Sequence, residues 1–140
     1  MIFNTANNPF LSEFSNKLKN LTSSVQHGAK VALTDSQERV EKMVNEFNRR
    51  RCLILSYLNE MSIPYVRPRG AFYVFPNIRQ FGMHSEEFCD FLLNKAKVAV
   101  VPGNAFGQAG EGYIRIAYTT PYKVIEEGME RFKQTIEKLS

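Results

Sequence analysis

The sequence predicts an α/β protein of the two-layer α+β type, with a small sheet of about three strands and helices packed on one face. Two observations carry this prediction. From residue 25 onward, helix and strand patterns follow one another in the order helix, helix, strand, helix, strand, strand, helix, which is typical of helices packed against a sheet. Hydrophobic residues make up 44% of the 140 positions, which is enough for one ordinary domain core.

The beginning of the chain is predicted to be helical. Apolar residues recur every four positions over residues 10–21, which indicates a short helix with one apolar stripe. Residues 25–33 are apolar enough to form a second helix, and too apolar for a fully solvated one. We therefore expect this second helix to present an apolar surface and to favour self-association.

A long helix is predicted to follow and to end near Met61, shortly before Pro64. Thr34 and Asp35 provide the N-cap signal at its start. Arg51 falls on its apolar stripe, so we expect the side chain to snorkel or to pair its charge. The stripe consists of Val40, Met43, Val44, Phe47, Ile54, Leu55, Leu58 and Met61.

The second half of the chain alternates strand and helix patterns. Strands are predicted at residues 72–75, 98–101 and 113–118, where apolar and β-branched runs are bounded by glycine or proline. Ser85 is expected to cap the helix between the first two strands. Pro121 is expected at the first position of the last helix, which its fixed φ angle favours.

Arg115 is the candidate site residue. It lies between Ile114 and Ile116 in an otherwise apolar strand, where an unpaired charge is rarely placed. A guanidinium held there suits planar, bidentate capture of a carboxylate or phosphate. A simple ion pair with a neighbouring glutamate is the alternative that the residues themselves leave open.

Three motifs around Arg115 occur in a fixed order: residues 24–33, residues 68–76, and the loop and strand of residues 100–118. They read Ser-Val-Gln-His-Gly-Ala-Lys-Val-Ala-Leu, Pro-Arg-Gly-Ala-Phe-Tyr-Val-Phe-Pro, and Val-Pro-Gly-x-x-Phe-Gly followed by Arg-x-x-Tyr. Together they resemble the small C-terminal domain of aspartate-aminotransferase-like enzymes, the class I/II aminotransferases of pyridoxal-phosphate fold type I. The resemblance covers about residues 17–139.

The resemblance implies that residues 17–140 form the aminotransferase small domain with its long inter-domain helix, while residues 1–16 remain unassigned. It implies a homodimeric parent enzyme that uses pyridoxal 5'-phosphate to transfer an amino group from an amino acid to a 2-oxo acid. Free thiols and the lack of a signal-peptide pattern add the expectation of a cytoplasmic protein. Arg115 is the residue that matches the arginine that binds the substrate α-carboxylate in this family.

The family also implies a Schiff-base lysine in a Ser-x-x-Lys motif, followed by a Gly-x-Arg. Lys17 and Lys19 follow Ser15, but no Gly-x-Arg comes after them. We therefore expect the chain to lack the large domain, to contain no catalytic or cofactor-binding residue of its own, and to be inactive without its parent.

Two other classes of function were open. The segment Arg-Gly-Ala-Phe-Tyr-Val-Phe at residues 69–75 resembles the basic and aromatic strand of single-stranded RNA-recognition modules, whose aromatic residues stack on bases. However, Phe72 and Tyr73 would face opposite sides of a strand, and a long helix occupies the place of the partner strand. An interaction domain without a site would leave Arg115 and its loop unexplained.

Composition points away from nucleic acid, membrane and metal. The net charge is +4, and the charges alternate along the predicted helices, so the arginines at 49–51 are expected to form a solvated face. No apolar run approaches membrane-spanning length. His27 and His84 lie far apart without metal-ligand spacing.

The cysteines and loop glycines also have ordinary explanations. Cys52 and Cys89 are expected to be buried or half-buried free thiols. The glycines of residues 103–112 are expected to serve turn geometry and not a phosphate loop, because no Lys-Ser/Thr and no helix follow them directly.

Overall fold

The computed structural model describes residues 23–139. The short helix expected over residues 10–21, and the unassigned segment 1–16, lie outside this range. The chain divides into two compact units, residues 1–39 and residues 40–140. Within the described residues, no helix is long and apolar enough to cross a membrane.

The described part of the first unit contains helix α1, Ser23–Thr34, as the sequence predicts. None of its residues is buried, and Leu33 is 63% exposed. The expected N-cap is wrong in one respect, because Thr34 is the last residue of α1 and its hydroxyl donates back to the Lys30 carbonyl. Ser36 instead accepts the backbone N–H of Glu38, at the start of the next helix.

Helix α2, Glu38–Glu60, begins in the first unit and continues into the second. Only the C-terminal half of its expected apolar stripe is buried, at Ile54, Leu55 and Leu58. The N-terminal half, from Val40 to Val44, stays about half exposed. An apolar pattern alone reports which face can be buried, and not how far along the helix the partner extends.

Of the arginines at 49–51, which are expected to form a solvated face, Arg49 is exposed as expected, whereas Arg50 and Arg51 are partly buried. Arg50 donates to the carbonyl of Thr119 at 3.0 Å, and Arg51 donates to that of Pro68 at 2.8 Å. These bonds link α2 to two loops far along the chain, which an alternating charge pattern could not reveal. The head of Arg51 is hydrogen-bonded to neutral oxygens of Pro68 and Asn48, while its buried Nε has no hydrogen-bond partner among the described residues.

The sheet has three antiparallel strands: β1, Tyr73–Val74; β2, Val101–Pro102; and β3, Ile114–Ala117. β3 lies in the centre, in the order β1-β3-β2. All three strands are shorter than predicted, and residues 98–100 are not paired at all. The backbone N–H of Val98 donates to the Leu92 carbonyl, so this stretch closes the preceding helix before the sheet begins.

Helix α3, Ser85–Ala96, and helix α4, Tyr122–Glu137, complete the fold. The expected capping role of Ser85 is wrong, because Ser85 is the first helical residue and its buried hydroxyl accepts the backbone N–H of Gly112. Pro121 takes the N-cap position and not the first helical position.

The core lies between one face of the sheet and helices α2, α3 and α4, which confirms the predicted fold class. In β3, Ile114 and Ile116 are buried, while Arg115 and Ala117 lie on the other face. Cys89 is buried, but Cys52 is exposed, contrary to expectation. The other buried apolar residues are Ile54, Leu55, Leu58, Ile63, Val74, Ile78, Phe88, Leu92, Ala96, Tyr118, Ile125, Met129, Phe132 and Ile136.

Candidate functional site

The site is built around Arg115 in the central strand. Strand alternation places its side chain on the sheet face that the helices do not cover, because both neighbours in β3 point into the core. Val101 of β2 is its register partner across the strand pair. The backbone of Arg115 is therefore fixed by a paired strand, and its side chain begins at a defined point of the open face.

Two aromatic rings contact the guanidinium. Its Cζ lies 4.3 Å from the ring centroid of Phe106 and 5.4 Å from that of Tyr73. Both distances are within the range of favourable cation–π contacts. Phe75 joins the cluster through edge contacts at 5.8 Å to each of these rings. The rings restrict the orientation of the guanidinium without neutralising its charge.

The guanidinium lacks a carboxylate partner among residues 23–139. The Nε atom of Arg115 is buried and has no hydrogen-bond partner. The terminal nitrogens Nη1 and Nη2 are not buried and unpaired in this way. The ion pair with a neighbouring glutamate, which the sequence left open, is not formed within the described residues. A planar anion would therefore meet the guanidinium end-on, through its two terminal nitrogens.

The loop of residues 103–112 carries Phe106 to this position. Gly103 and Gly110 pack backbone against backbone, so that a Cβ on either residue would overlap the other. Gly112 has a φ of 81°, a conformation that glycine adopts without strain. The turn role expected for the loop glycines is confirmed at these positions.

The far end of the loop is attached to the start of α3. The Glu111 carboxylate accepts the backbone N–H of Ser85 at 2.9 Å and lies 3.3 Å from Nδ1 of His84. The hydrogen bond from Ser85 holds the pKa of the Glu111 carboxyl below its ordinary value, and His84 contributes in the same direction. Arg79 donates to the Glu111 carbonyl at 3.2 Å.

Three grooves among the described residues lie near these elements, and one of them, of about 360 Å³, is lined by Arg79, His84 and Glu111. Another, of about 300 Å³, lies between residues 97–101, β3 and α4, and Arg115 is among its lining residues. It also borders core residues such as Ile54 and Met129, so it does not coincide with the ring-covered face. The third, of about 470 Å³, lies between α2 and residues 69–72.

The comparisons with known proteins agree with this architecture. The family model of aminotransferase class I and II matches residues 6–132, and the chain belongs to this family. It is 49% identical over 116 residues to aromatic-amino-acid aminotransferase 2 of Thermococcus litoralis, and 51% identical over 114 residues to an aspartate aminotransferase of Pyrococcus abyssi. These matches cover 81% and 80% of this chain.

A solved structure shows the same fold. The aromatic aminotransferase from Pyrococcus horikoshii is 49% identical, with a TM-score of 0.77 over 83% of this chain and 32% of that chain. The present chain spans about 30% of the length of the curated relatives it matches. The comparisons give no support to the RNA-binding alternative.

The described residues do not fit the family's cofactor. No lysine among residues 23–139 stands in a Ser-x-x-Lys motif followed by a Gly-x-Arg. The part of the chain that the structure describes also contains no group of three or more His, Cys, Asp or Glu side chains that could hold a metal.

Three residues of the site were not singled out from the sequence as its members. Tyr73 reaches Arg115 through the sheet register, for which a single sequence carries no signal. Phe106 was visible in the Val-Pro-Gly-x-x-Phe-Gly spacing, but only as part of a resemblance. Glu111 carries no signal in the sequence, because the helix start that it contacts is 26 residues away along the chain.

Proposed function

We propose that this chain acts as the small domain of a pyridoxal-phosphate-dependent aminotransferase, and that Arg115 binds the α-carboxylate of its substrates. One observation carries the proposal for Arg115. A guanidinium is held between two aromatic rings on the open face of the sheet, and no carboxylate among residues 23–139 neutralises it. Such a group is ready to accept a carboxylate from outside.

The chemistry of amino-group transfer explains why such a group is needed. The amino acid and the 2-oxo acid differ at Cα but carry the same carboxylate, so one arginine serves both half-reactions. A bidentate contact fixes the carboxylate plane as well as its position, and thereby the orientation of the bonds at Cα. Orientation at Cα selects which bond reacts, which is the contribution expected of Arg115.

The names of the relatives support a site for the shared group. One relative is named for aromatic amino acids and another for aspartate, so the side chains differ while the α-carboxylate does not. In the parent enzyme, the large domain would hold the cofactor, pyridoxal 5'-phosphate. By the same family resemblance, we propose that the parent enzyme is a homodimer, and we propose a cytoplasmic location because free thiols are typical of a reducing compartment.

The test is steady-state kinetics of Arg115 variants in the full-length enzyme. Arg115→Lys keeps the charge but loses the fork, so kcat/KM for amino acids should fall by at least roughly tenfold. Arg115→Ala should lose more, and both variants should impair the 2-oxo acid half-reaction. Arg67→Lys, which changes an exposed arginine in the loop before β1, is the matched control.

Cofactor binding separates this role from a cofactor-holding one. Absorbance titration with pyridoxal 5'-phosphate should be nearly unchanged in both Arg115 variants. Intact amino-acid turnover in Arg115→Ala, or release of the cofactor by that variant, would show that the proposed role is wrong.

A further inference from the structure

We propose that Glu111 is a positioning residue for Arg115. The Glu111 side chain attaches the loop of residues 103–112 to the start of α3. This attachment holds the Phe106 ring in contact with the Arg115 guanidinium. The functional part of this inference rests on the proposed role of Arg115, while its structural part stands on the geometry alone.

Two reciprocal hydrogen bonds attach the 103–112 loop to helix α3. Glu111 accepts the backbone N–H of Ser85 at 2.9 Å, and the Ser85 hydroxyl accepts the backbone N–H of Gly112 at 2.9 Å. Ser85 is completely buried, so its hydroxyl contact with Gly112 is shielded from water, whereas the side chain of Glu111 is 41% exposed. The first N–H groups of a helix have no partner within the helix, and a carboxylate is their most favourable acceptor.

The loop transmits this attachment to its other end, because it is closed on itself. The backbone N–H of Gly103 donates to the Tyr113 carbonyl at 2.8 Å, and that of Tyr113 donates to the Gly110 carbonyl at 3.1 Å. The direct packing of Gly103 on Gly110 leaves no room for one end of the loop to move alone. A displacement at Glu111 must therefore move the turn that carries Phe106.

Phe106 has little else to hold it in place. Its side chain is 52% exposed, and its ring contacts are the edge of Phe75 and the guanidinium itself. A half-exposed ring on a loop gains little from burial, so its position depends on the loop backbone. The turn has one further tie to α3, a hydrogen bond at 3.3 Å from the Asn104 amide to Glu86.

The structural part is tested by NMR on the 140-residue chain. The Nε–H resonance of Arg115 should carry a ring-current shift from Phe106 and Tyr73, and Phe106→Leu should identify the share due to Phe106. Glu111→Ala should remove most of that share. Glu111→Gln keeps an acceptor for the Ser85 N–H and should restore much of it. Glu87 is an exposed acid in the first turn of α3, the turn that begins with Ser85. Glu87→Ala should therefore leave the Arg115 Nε–H shift unchanged.

Glu111→Asp decides the matter if the alanine variant does not fold. Its side chain is one methylene shorter, so its carboxylate should no longer accept the Ser85 N–H from the same loop position. The Phe106 share of the shift should then again be lost. An unchanged Arg115 shift in folded Glu111→Ala or Glu111→Asp chains would overturn the proposal.

The functional part is tested by kinetics in the full-length enzyme. Glu111→Asp should raise KM for amino acids by roughly threefold or more while kcat changes less, since a loosely held guanidinium weakens binding of the carboxylate. Arg115→Ala is measured alongside. If Arg115→Ala lowers kcat/KM but Glu111→Asp does not change KM, the positioning role of Glu111 is wrong and the proposed role of Arg115 stands. If Arg115→Ala has no effect while the NMR shifts behave as expected, the proposed function fails and the positioning geometry stands.

Discussion

Gly103→Ala should destabilise the fold because the site loop leaves no room for a methyl group. A Cβ at this position would overlap the Gly110 carbonyl oxygen and lie 2.7 Å from that of Tyr113. Both are backbone atoms that the closed loop holds in place. The backbone must shift to relieve this overlap, as it does when extra atoms are forced into a packed core, and such shifts cost about 1–3 kcal/mol. Weakening of the hydrogen bond from Gly103 to Tyr113 adds roughly 1 kcal/mol.

The assay is equilibrium unfolding in urea. A loss of about 2–4 kcal/mol in the free energy of unfolding corresponds to a midpoint lower by about 1–2 M, at the slopes usual for small domains. Gly128→Ala is the matched control, because nothing lies within 4 Å of a Cβ placed there in helix α4. Alanine in a helix interior should raise stability by roughly 0.5–1 kcal/mol.

The two glycines thus give effects of opposite sign for the same chemical change. If the Gly103→Ala chain is as stable as the unsubstituted chain, the close packing of the loop is not as described. The idea that the loop moves as one body would then fail as well.

Three further results are expected. Ser85→Ala should lower the free energy of unfolding by about 1–3 kcal/mol, because a buried loop N–H loses its acceptor, and urea unfolding with an exposed-serine control measures this. In the folded chain Cys52 should react with a thiol reagent at mildly alkaline pH, while Cys89 reacts only after denaturation, since burial raises the pKa of its thiol to about 11; equal reactivity of both would contradict the burial. The exposed apolar residues of α1 should make the chain self-associate, and sedimentation showing a strict monomer at high concentration, without binding of an apolar dye, would contradict this.

Much of the fold could be predicted because it follows from local patterns. The apolar stripe of α2 and the runs around β3 report directly which face or segment can be buried. The same runs overestimated the strands, because apolar character continues through residues 98–100 after sheet pairing has stopped. Pairing depends on the partner strand, and a single sequence does not show where the partner ends.

For the candidate site, the sequence singles out Arg115 but does not show which residues surround it. Arg115 stood out because a charge interrupts an apolar strand. The contacts of Tyr73 and Phe106 depend on sheet register and loop closure, which arise only in the folded chain. Ser85 was placed correctly near a helix start, but its role was wrong because Glu111, distant in sequence, supplies the acceptor for the first N–H.

The central claim is that Arg115 contacts the substrate carboxylate, and a cycle of two changes tests it most directly. One change is Arg115→Ala in the full-length enzyme. The other replaces an amino-acid substrate by the primary amine that lacks its carboxylate. If the two groups touch, the unsubstituted enzyme should have a much lower kcat/KM for the amine than for the amino acid. The Arg115→Ala change should then lower kcat/KM for the amine only slightly further.

The expected coupling between the two changes is at least about tenfold in kcat/KM, or about 1.4 kcal/mol. General damage to the enzyme would lower both substrates by the same factor and give no coupling. Independent, additive losses from the two changes would therefore contradict the account, and a coupling of tenfold or more would support it.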